Sequence, residues 1–395
     1  MKPGAKKSGL AVAAALFLAV AIMVSCEDEK PKPAFKPTPY QFPEMKNFPT
    51  KLNIPEDNPM TEEGVLLGRS LFYDGRLSGR SHPDSLMSCA TCHIQKNGFE
   101  CGIDHPVFKG GRPVGLKGLP TPNNMLPIVN LVFNHNGYFW NGFIERSNTR
   151  LGSQAYGVPA QPEYHYTNLE SVVWLTIVDP HEIAGDIESS VNAIANIPMY
   201  PPMFKAAFGT EEVTYDRISK AIAQFVRSIV SYRSKFHKYL RNEATLTSLE
   251  QHGLNLFFSE DADCFHCHGG SILMTTNEYY NNAKDSDFTG QKDRYSITGN
   301  QRDIGAYRAP SLINIELTAP YMHDGRFKSL DEVIDFYSDG LIATEYVHPL
   351  METLPNGGAR LNDEEKQALK AFLLTLTDHE LINDPQYARP ANILE

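Results

Sequence analysis

The spacing of apolar and polar positions along the chain predicts helices rather than strands. An acidic first turn after Thr61 leads into apolar residues at helical spacing, which predicts a helix through Phe72. Further helices are predicted after Thr214, after the capping-box spelling Thr247–Glu250, and after Asn362, which also has a glutamate three residues later. No run alternates convincingly in the manner of a strand, so the chain is predicted to be mostly α.

The N-terminus carries a basic start followed by an apolar run from Leu10 to Val24. This run is too short for a comfortable membrane span and predicts a secretory signal peptide over residues 1–25. A small residue precedes Cys26, as a bacterial lipoprotein cleavage site requires, so we expect Cys26 to be lipidated. The alternative is ordinary signal cleavage nearby with Cys26 incidental. We expect a periplasmic protein that touches the membrane only through this lipid.

The order of motifs in the remaining chain predicts two related modules. Residues 26–59 are rich in proline and lysine, which predicts an extended tether. A Gly-x-x-Leu-Phe spelling then stands before each of two Cys-x-x-Cys-His motifs, and a Pro/Asn segment and an aromatic turn follow each motif. This repetition predicts domains at 60–242 and 243–378, with a tail at 379–395.

The length of the chain limits the number of domains, and its net charge limits the kinds of partner it can bind. The chain has 395 residues, 42% hydrophobic, which suits one or two globular domains. Its formal net charge of −11 makes nucleic acid an unsuitable partner.

The two Cys-x-x-Cys-His motifs carry the clearest chemistry. Two thiols with this spacing can add to the vinyl groups of a haem, and the histidine that follows is placed to bind the iron. A zinc knuckle or a redox dithiol is the alternative for a Cys-x-x-Cys pair alone, but a histidine follows both pairs. The sequence therefore predicts two covalently bound c-type haems, held by Cys89, Cys92, His93, Cys264, Cys267 and His268.

Several motifs in one order resemble a known family. They are the Leu67–Asp74 segment, the two haem motifs, Phe139–Gly142, Pro180–Ile183 and Leu317–Gly325. This order is similar to that of the bacterial di-haem cytochrome c peroxidases and their MauG-type relatives, over roughly residues 60–378. The resemblance implies two cytochrome c-like domains in tandem with long loops. It also implies that hydrogen peroxide reacts at the N-terminal haem, while the C-terminal haem receives electrons from a small protein such as a cytochrome c or a cupredoxin. Members are often homodimers.

The resemblance also assigns residues to the peroxide site. Glu182 matches the family's distal glutamate, a general acid–base for peroxide cleavage; the alternative is a surface acid at a helix start. Gln154 resembles the distal glutamine, although the gap to Glu182 contains an insertion. Trp140 matches the inter-haem tryptophan, and a core aromatic is the alternative.

Two positions depart from the usual pattern of the peroxidases. Leu116 stands where a histidine caps the peroxidatic iron, and a shifted alignment would bring in His105. Tyr337 stands where a methionine binds the second iron, and MauG-type enzymes have a tyrosine there. Met322 and Met351 are alternative ligands, and Tyr337 as a core residue is a further alternative.

The family also binds calcium between its domains, through an asparagine side chain and two backbone carbonyls. The matching positions are Asn124, Thr318 and Pro320. Oxygen donors of this kind suit a hard cation.

Three functions remain open from the sequence. The first is a peroxidase that reduces hydrogen peroxide to water with electrons passing from the C-terminal to the N-terminal haem. The second is a MauG-like enzyme that oxidatively modifies a partner protein, which Tyr337 favours. The third is a non-enzymatic electron-transfer cytochrome, which Glu182 and the missing cap disfavour.

Overall fold

Helices joined by long loops make up the described chain, and the mostly α class is confirmed. The structure is a computed structural model that describes Met1 and residues 35–80, 82, 86–109, 111–143 and 168–393. The α-helices are α1 Glu62–Phe72, α2 Cys89–Cys92, α3 Leu169–Val178, α4 Ile187–Ala195, α5 Tyr200–Phe208, α6 Tyr215–Ser228, α7 Lys235–Leu240, α8 Ser248–Phe257, α9 Phe265–His268, α10 Tyr295–Thr298, α11 Leu330–Asp339 and α12 Asp363–Leu374. Single 3₁₀ turns lie at Gly75–Ser78, Gln95–Asn97, Leu131–Phe133, Gln301–Asp303, Ile315–Leu317, Leu354–Asn356 and Leu381–Asn383.

The strands form two short antiparallel ribbons. In the first, β1 (Phe108–Lys109) pairs with β2 (Arg112–Pro113). In the second, β3 (Tyr279–Tyr280) pairs with β4 (Tyr307–Arg308). Two residues per strand are too few to give a period-2 signal, which explains why the sequence pattern did not reveal them.

The predicted helix starts are confirmed by their caps. The Gly64 N–H donates to the Thr61 hydroxyl at 3.0 Å. Thr247 and Asn362 each accept from the backbone N–H of a glutamate three residues later, and each glutamate carboxylate accepts from the N–H of its cap residue. These bonds satisfy N–H groups that the first helical turn leaves unpaired, so the local sequence fixes where the helices begin.

The repeated Gly-x-x-Leu-Phe spelling marks the same helix crossing in both halves. A Cβ atom on Gly68 of α1 would lie 1.8 Å from the carbonyl oxygen of Ala221 in α6. A Cβ atom on Gly253 of α8 would lie 1.9 Å from the carbonyl oxygen of Ala368 in α12. Only glycine allows the two backbones to approach this closely, so the repeat in the sequence reflects a repeated packing contact.

An asparagine after each haem motif repeats a second contact. Asn130 donates its backbone N–H to the Ile229 carbonyl at 2.9 Å, and its side-chain oxygen accepts from Ser231. Asn314 makes the same two bonds, to the Leu376 carbonyl at 3.1 Å and from Asp378. Both asparagines have positive φ, which asparagine tolerates better than most residues. Each therefore joins a haem loop to the chain just beyond the helix that closes its module.

Two large hydrophobic clusters form the cores of the two halves. The first contains apolar faces of α1, α3, α5 and α6, and the second those of α8, α11 and α12. A smaller cluster lies at Phe48, Val132, Phe133, Val230 and Leu273.

Segments predicted as tether and tail pack on the body. Phe48 is buried in the smaller cluster, and the Asn53 backbone N–H donates to the Val132 carbonyl at 2.7 Å, so the predicted extended tether does not reach residue 59. Beyond residue 378, the side chains of Leu381, Tyr387 and Ile393 are buried in the core of the first half. None of the helices among the described residues has both the length and the apolar character needed to cross a bilayer.

Candidate active site

The first Cys-x-x-Cys-His motif presents its histidine in a form suited to bind iron. Cys89 and Cys92 occupy the single turn α2, and His93 follows directly. The His93 Nδ1–H donates to the Phe99 carbonyl at 2.9 Å, which leaves Nε2 for a ligand. Burial lowers the pKa of His93 to about 4, so the ring is neutral at physiological pH, the state that binds metals.

A cavity of about 570 Å³ opens beside this motif. Its lining includes Cys89, Cys92 and His93, together with Trp140 and Glu182 from later in the chain. The volume is typical of cofactor sites, and the two thiols and the free imidazole nitrogen supply the groups that a c-type haem needs. The residues present therefore fit a covalently bound haem.

The second motif repeats this arrangement. His268 at the end of α9 donates its Nδ1–H to the Pro310 carbonyl at 3.1 Å, and burial lowers its pKa to about 4. Cys264, Cys267 and His268 line a second cavity of about 190 Å³. This site fits a second haem through the same donor set.

Glu182 lies where it can act in the first cavity. Its charge raises the pKa of both Cys89 and Cys92, after the larger effect of burial, which places the carboxyl group near the haem-attachment thiols. Burial and the nearby Asp179 raise the pKa of Glu182 to about 8. A carboxyl group with this pKa exchanges protons readily near neutral pH, as an acid–base catalyst must.

Two neighbouring segments hold the backbone of Glu182. Its N–H donates to the Asp179 carbonyl at 3.0 Å, and its carbonyl accepts from the Leu116 N–H at 2.8 Å. A Cβ atom on Gly115 would lie 2.2 Å from the His181 carbonyl oxygen, so glycine is needed where the loop carrying Leu116 crosses this turn. The loop is therefore part of the support for Glu182.

Leu116, at the position expected for a capping histidine, contributes a backbone contact and no iron ligand. His105, the alternative cap, does not line the first cavity. Its Nδ1 instead accepts from the Val107 N–H at 3.3 Å, within its own turn. Gln154 and Cys26 lie outside the described residues.

Trp140 lies between the two cavities and lines both. It is 8% exposed, and its Nε1–H donates to the Asn124 carbonyl at 2.9 Å. Its ring meets the His323 ring edge to face, with centroids 6.4 Å apart. Trp140 is therefore buried like a core aromatic residue, but it also lies between the two haem cavities, a position that packing alone would not require.

His323 is a buried residue of this region for which the sequence predicted no role. Its ring stacks on Tyr307 with centroids 3.6 Å apart, and both rings line the second cavity. Burial lowers the pKa of His323 to about 3, so the ring is neutral. In the sequence, His323 was visible only as a member of the Leu317–Gly325 motif, and its stacking on Tyr307 was not predicted because that partner comes from β4.

The three candidate ligands of the second iron all line the second cavity: Tyr337, Met322 and Met351. The Asn282 side-chain amide lies 3.0 Å from the Tyr337 hydroxyl, to which it donates, and 3.7 Å from the Met322 sulfur. Burial raises the pKa of Tyr337, and the Asn282 hydrogen bond opposes this effect. Two candidates therefore share one hydrogen-bond donor in the lining of the second cavity.

The three residues matched to a calcium site also lie together, at the edge of the second cavity. The Asn124 amide nitrogen donates to the Pro320 carbonyl at 2.7 Å. Its oxygen Oδ1 is buried without a hydrogen-bond partner among the described residues. Rotating the amide would aim Oδ1 at the Pro320 carbonyl, a pair of acceptors that a cation can bridge. The donor set of Asn124, Thr318 and Pro320 thus fits a hard cation.

Comparisons with known proteins agree with this geometry. The sequence profile of the di-haem cytochrome c peroxidase family matches residues 62–245. Cytochrome c551 peroxidase of Nitrosomonas europaea is 31% identical over 335 residues, which cover 83% of this chain and 83% of that protein. The methylamine utilization protein MauG of Methylorubrum extorquens is 28% identical, covering 83% of this chain and 82% of that protein.

A solved structure supports the same assignment across both halves. The crystal structure of a MauG-like protein associated with microbial copper homeostasis is 32% identical, with a TM-score of 0.73. The match covers 89% of this chain and 99% of that protein. Taken with the two haem motifs and their cavities, these similarities show that the chain belongs to the bacterial di-haem cytochrome c peroxidase and MauG family and is an enzyme of the cytochrome-c peroxidase type.

Proposed function

We propose that this enzyme reduces hydrogen peroxide to water at the first haem, with electrons that enter at the second haem from a small redox protein. The observation that carries this proposal is Glu182, a carboxyl group with a pKa of about 8, in the same cavity as His93 and the thiols of α2. When bound, the haem supplies the iron that binds peroxide and the redox chemistry that cleaves it.

The chain's own residues supply proton transfer and positioning. Glu182 would take a proton from one oxygen of hydrogen peroxide and return it to the oxygen that leaves as water. His93 would hold the iron through its free Nε2, and the hydrogen bond to the Phe99 carbonyl fixes the orientation of its ring. Trp140 places a polarisable ring between the two haem cavities, which shortens the gap that an electron must cross.

We further propose that the enzyme is exported to the periplasm, where a lipid on Cys26 anchors it to a membrane. Calcium held by Asn124, Thr318 and Pro320 would fix the edge of the second cavity against the loop carrying Asn124. These elements are supported by the signal-like N-terminus and by the buried, unpartnered Asn124 oxygen.

Removing one pair of thiols tests the assignment directly. Changing Cys89 and Cys92 to Ala should reduce the covalently bound haems from two to one in the mass of the protein and abolish peroxide reduction. Cys101→Ala is the matched control, because Cys101 lies outside both motifs, and it should keep both haems. Two haems in the double variant would contradict the proposal.

A MauG-like oxidation of a partner protein is the second candidate, favoured by Tyr337 and its hydrogen bond from Asn282. A tyrosinate ligand lowers the potential of a haem and makes it a poor electron entry point. Rapid oxidation of a reduced cytochrome c or cupredoxin by peroxide would support the peroxidase. A response of both haems to peroxide without donor turnover would support the MauG-like reaction.

A further inference from the structure

A histidine and two glutamates converge on the surface beside the second haem motif. His266 lies between the two haem-attaching cysteines Cys264 and Cys267, while Glu260 precedes the motif and Glu352 comes from a distant turn. One ligand atom from each of His266, Glu260 and Glu352 lies within 4.8 Å of the other two. No step of the proposed peroxide reaction uses this group.

A buried carboxylate aims the histidine at the two glutamates. Asp263, whose side chain is 3% exposed, accepts from His266 Nδ1 at 2.5 Å. His266 Nε2 is thereby directed outward, 3.8 Å from the Glu260 carboxylate. The other oxygen of Asp263 accepts from the Glu352 N–H at 2.9 Å, so one carboxylate positions both sides of the cluster. A carboxylate that orients a histidine in this way is the usual support of a metal-binding imidazole.

The charge of this cluster is not balanced by basic side chains. In the part of the chain that the structure describes, no lysine or arginine pairs with Glu260 or Glu352. A second grouping, of His323 with Asp285 and Asp324, gives the contrast. There the Lys284 ammonium lies 2.6 Å from Asp285 and 3.1 Å from Asp324, so the protein itself supplies the cation.

We propose that Glu260, His266 and Glu352 bind a divalent first-row transition-metal ion such as zinc at the surface beside the second haem. One imidazole nitrogen and two carboxylate oxygens form a donor set that zinc uses, at metal–ligand distances of about 2.0–2.2 Å. Ligand atoms that share an ion at such distances stand about 3–4 Å apart. Small rotations of the exposed glutamates are enough to reach this spacing. Calcium and magnesium prefer oxygen donors alone and should bind poorly.

Zinc binding to the full-length holoprotein tests this site. The protein, free of any affinity tag and saturated with calcium, would be titrated with zinc chloride in a calorimeter, and bound zinc per haem would be measured by elemental mass spectrometry. The wild type should bind one equivalent of zinc at this site, and the E260Q/E352Q variant should not bind that equivalent. His266→Gln, which keeps the haem motif intact, should weaken that equivalent at least about tenfold.

The matched control changes two exposed glutamates elsewhere, Glu188 and Glu364, to glutamine. This control removes the same charge and should keep the zinc equivalent, and all variants should keep two haems. Equal zinc binding by the wild type and E260Q/E352Q would overturn the proposal, and so would the absence of zinc binding by the wild type. If His266→Gln failed to attach haem, the glutamate variant would still decide, because both glutamates lie outside the motif.

Discussion

At the scale of single residues, the haem-attachment groups can be recognised from the sequence by their spacing, whereas the distal acid cannot. Cys89, Cys92 and His93 act within one short turn, so their spacing alone reveals their chemistry. Glu182 reaches the same cavity from the turn after α3, and only the family resemblance singled it out. His323 stood within a family motif, but its stacking on Tyr307 joins two separate segments and was not predicted by the sequence.

Replacing Glu182 with glutamine should slow peroxide reduction by roughly 10²-fold, the usual scale for losing a general acid–base. Glutamine keeps the size of the side chain but cannot accept and return a proton. Because the pKa of Glu182 is raised to about 8, the carboxylate that takes the first proton is lost as pH falls below about 8. The wild-type rate of reaction with peroxide should therefore fall from pH 9 to pH 7, and the variant should lack this dependence.

Stopped-flow measurement of the haem Soret band after peroxide addition gives both results. Glu188→Gln is the control, since it removes an exposed acid six residues away on α4. Both variants should retain two haems. A rate within a few-fold of wild type for Glu182→Gln would mean that this carboxyl group takes no part in proton transfer.

At the scale of elements, local sequence signals predicted where long helices begin, whereas the burial of irregular segments depends on tertiary contacts. The caps at Thr61, Thr247 and Asn362 lie in the sequence itself, so these helix starts were predictable. The described segment around Phe48 carries apolar residues, but prolines interrupt it and it forms no helix or strand of its own. It is buried by packing on Val132 and its neighbours, a contact between distant parts of the chain that local pattern does not predict.

Gly68→Ala should destabilise the first half of the molecule by about 1–3 kcal/mol or more, since a methyl group would be driven against the Ala221 carbonyl. Thermal unfolding of the holoprotein, followed by circular dichroism, would measure the loss. Leu66→Ala on the same helix is the control, because Leu66 is 54% exposed and its truncation should change stability by less than about 0.5 kcal/mol. An unchanged melting temperature for Gly68→Ala would show that the two helices can separate without cost.

At the scale of the whole molecule, the chain beyond the second module returns to the first. The Arg69 guanidinium donates to the carbonyls of Pro385 and Ala388, both at 2.7 Å. Gln95, just after the first haem motif, donates to the carbonyls of Leu381 and Asp384. The first haem environment is thus completed by residues that follow the second module, which a division into consecutive domains does not capture.

The arrangement of the loop between the first haem motif and Asn124 affects whether the enzyme must be reduced before it can react with peroxide. Peroxidases capped by a histidine need reduction and a loop movement before peroxide can reach the iron. In this chain the loop carrying Leu116 already packs against Glu182, and His105 lies away from the cavity. We therefore expect the fully oxidised enzyme to react with peroxide without prior reduction.

The measurement is addition of peroxide to the fully oxidised protein, with a change in the Soret band expected within seconds. A leucine cannot bind iron, so nothing at position 116 competes with peroxide for the distal site, and a tyrosinate on the second haem would make reduction-dependent gating a poor switch. An oxidised protein that stays inert until a reductant is added would contradict this expectation. If His105→Ala then made the oxidised form reactive, His105 would be the cap, and the loop between the first haem motif and Asn124 would have to rearrange during activation.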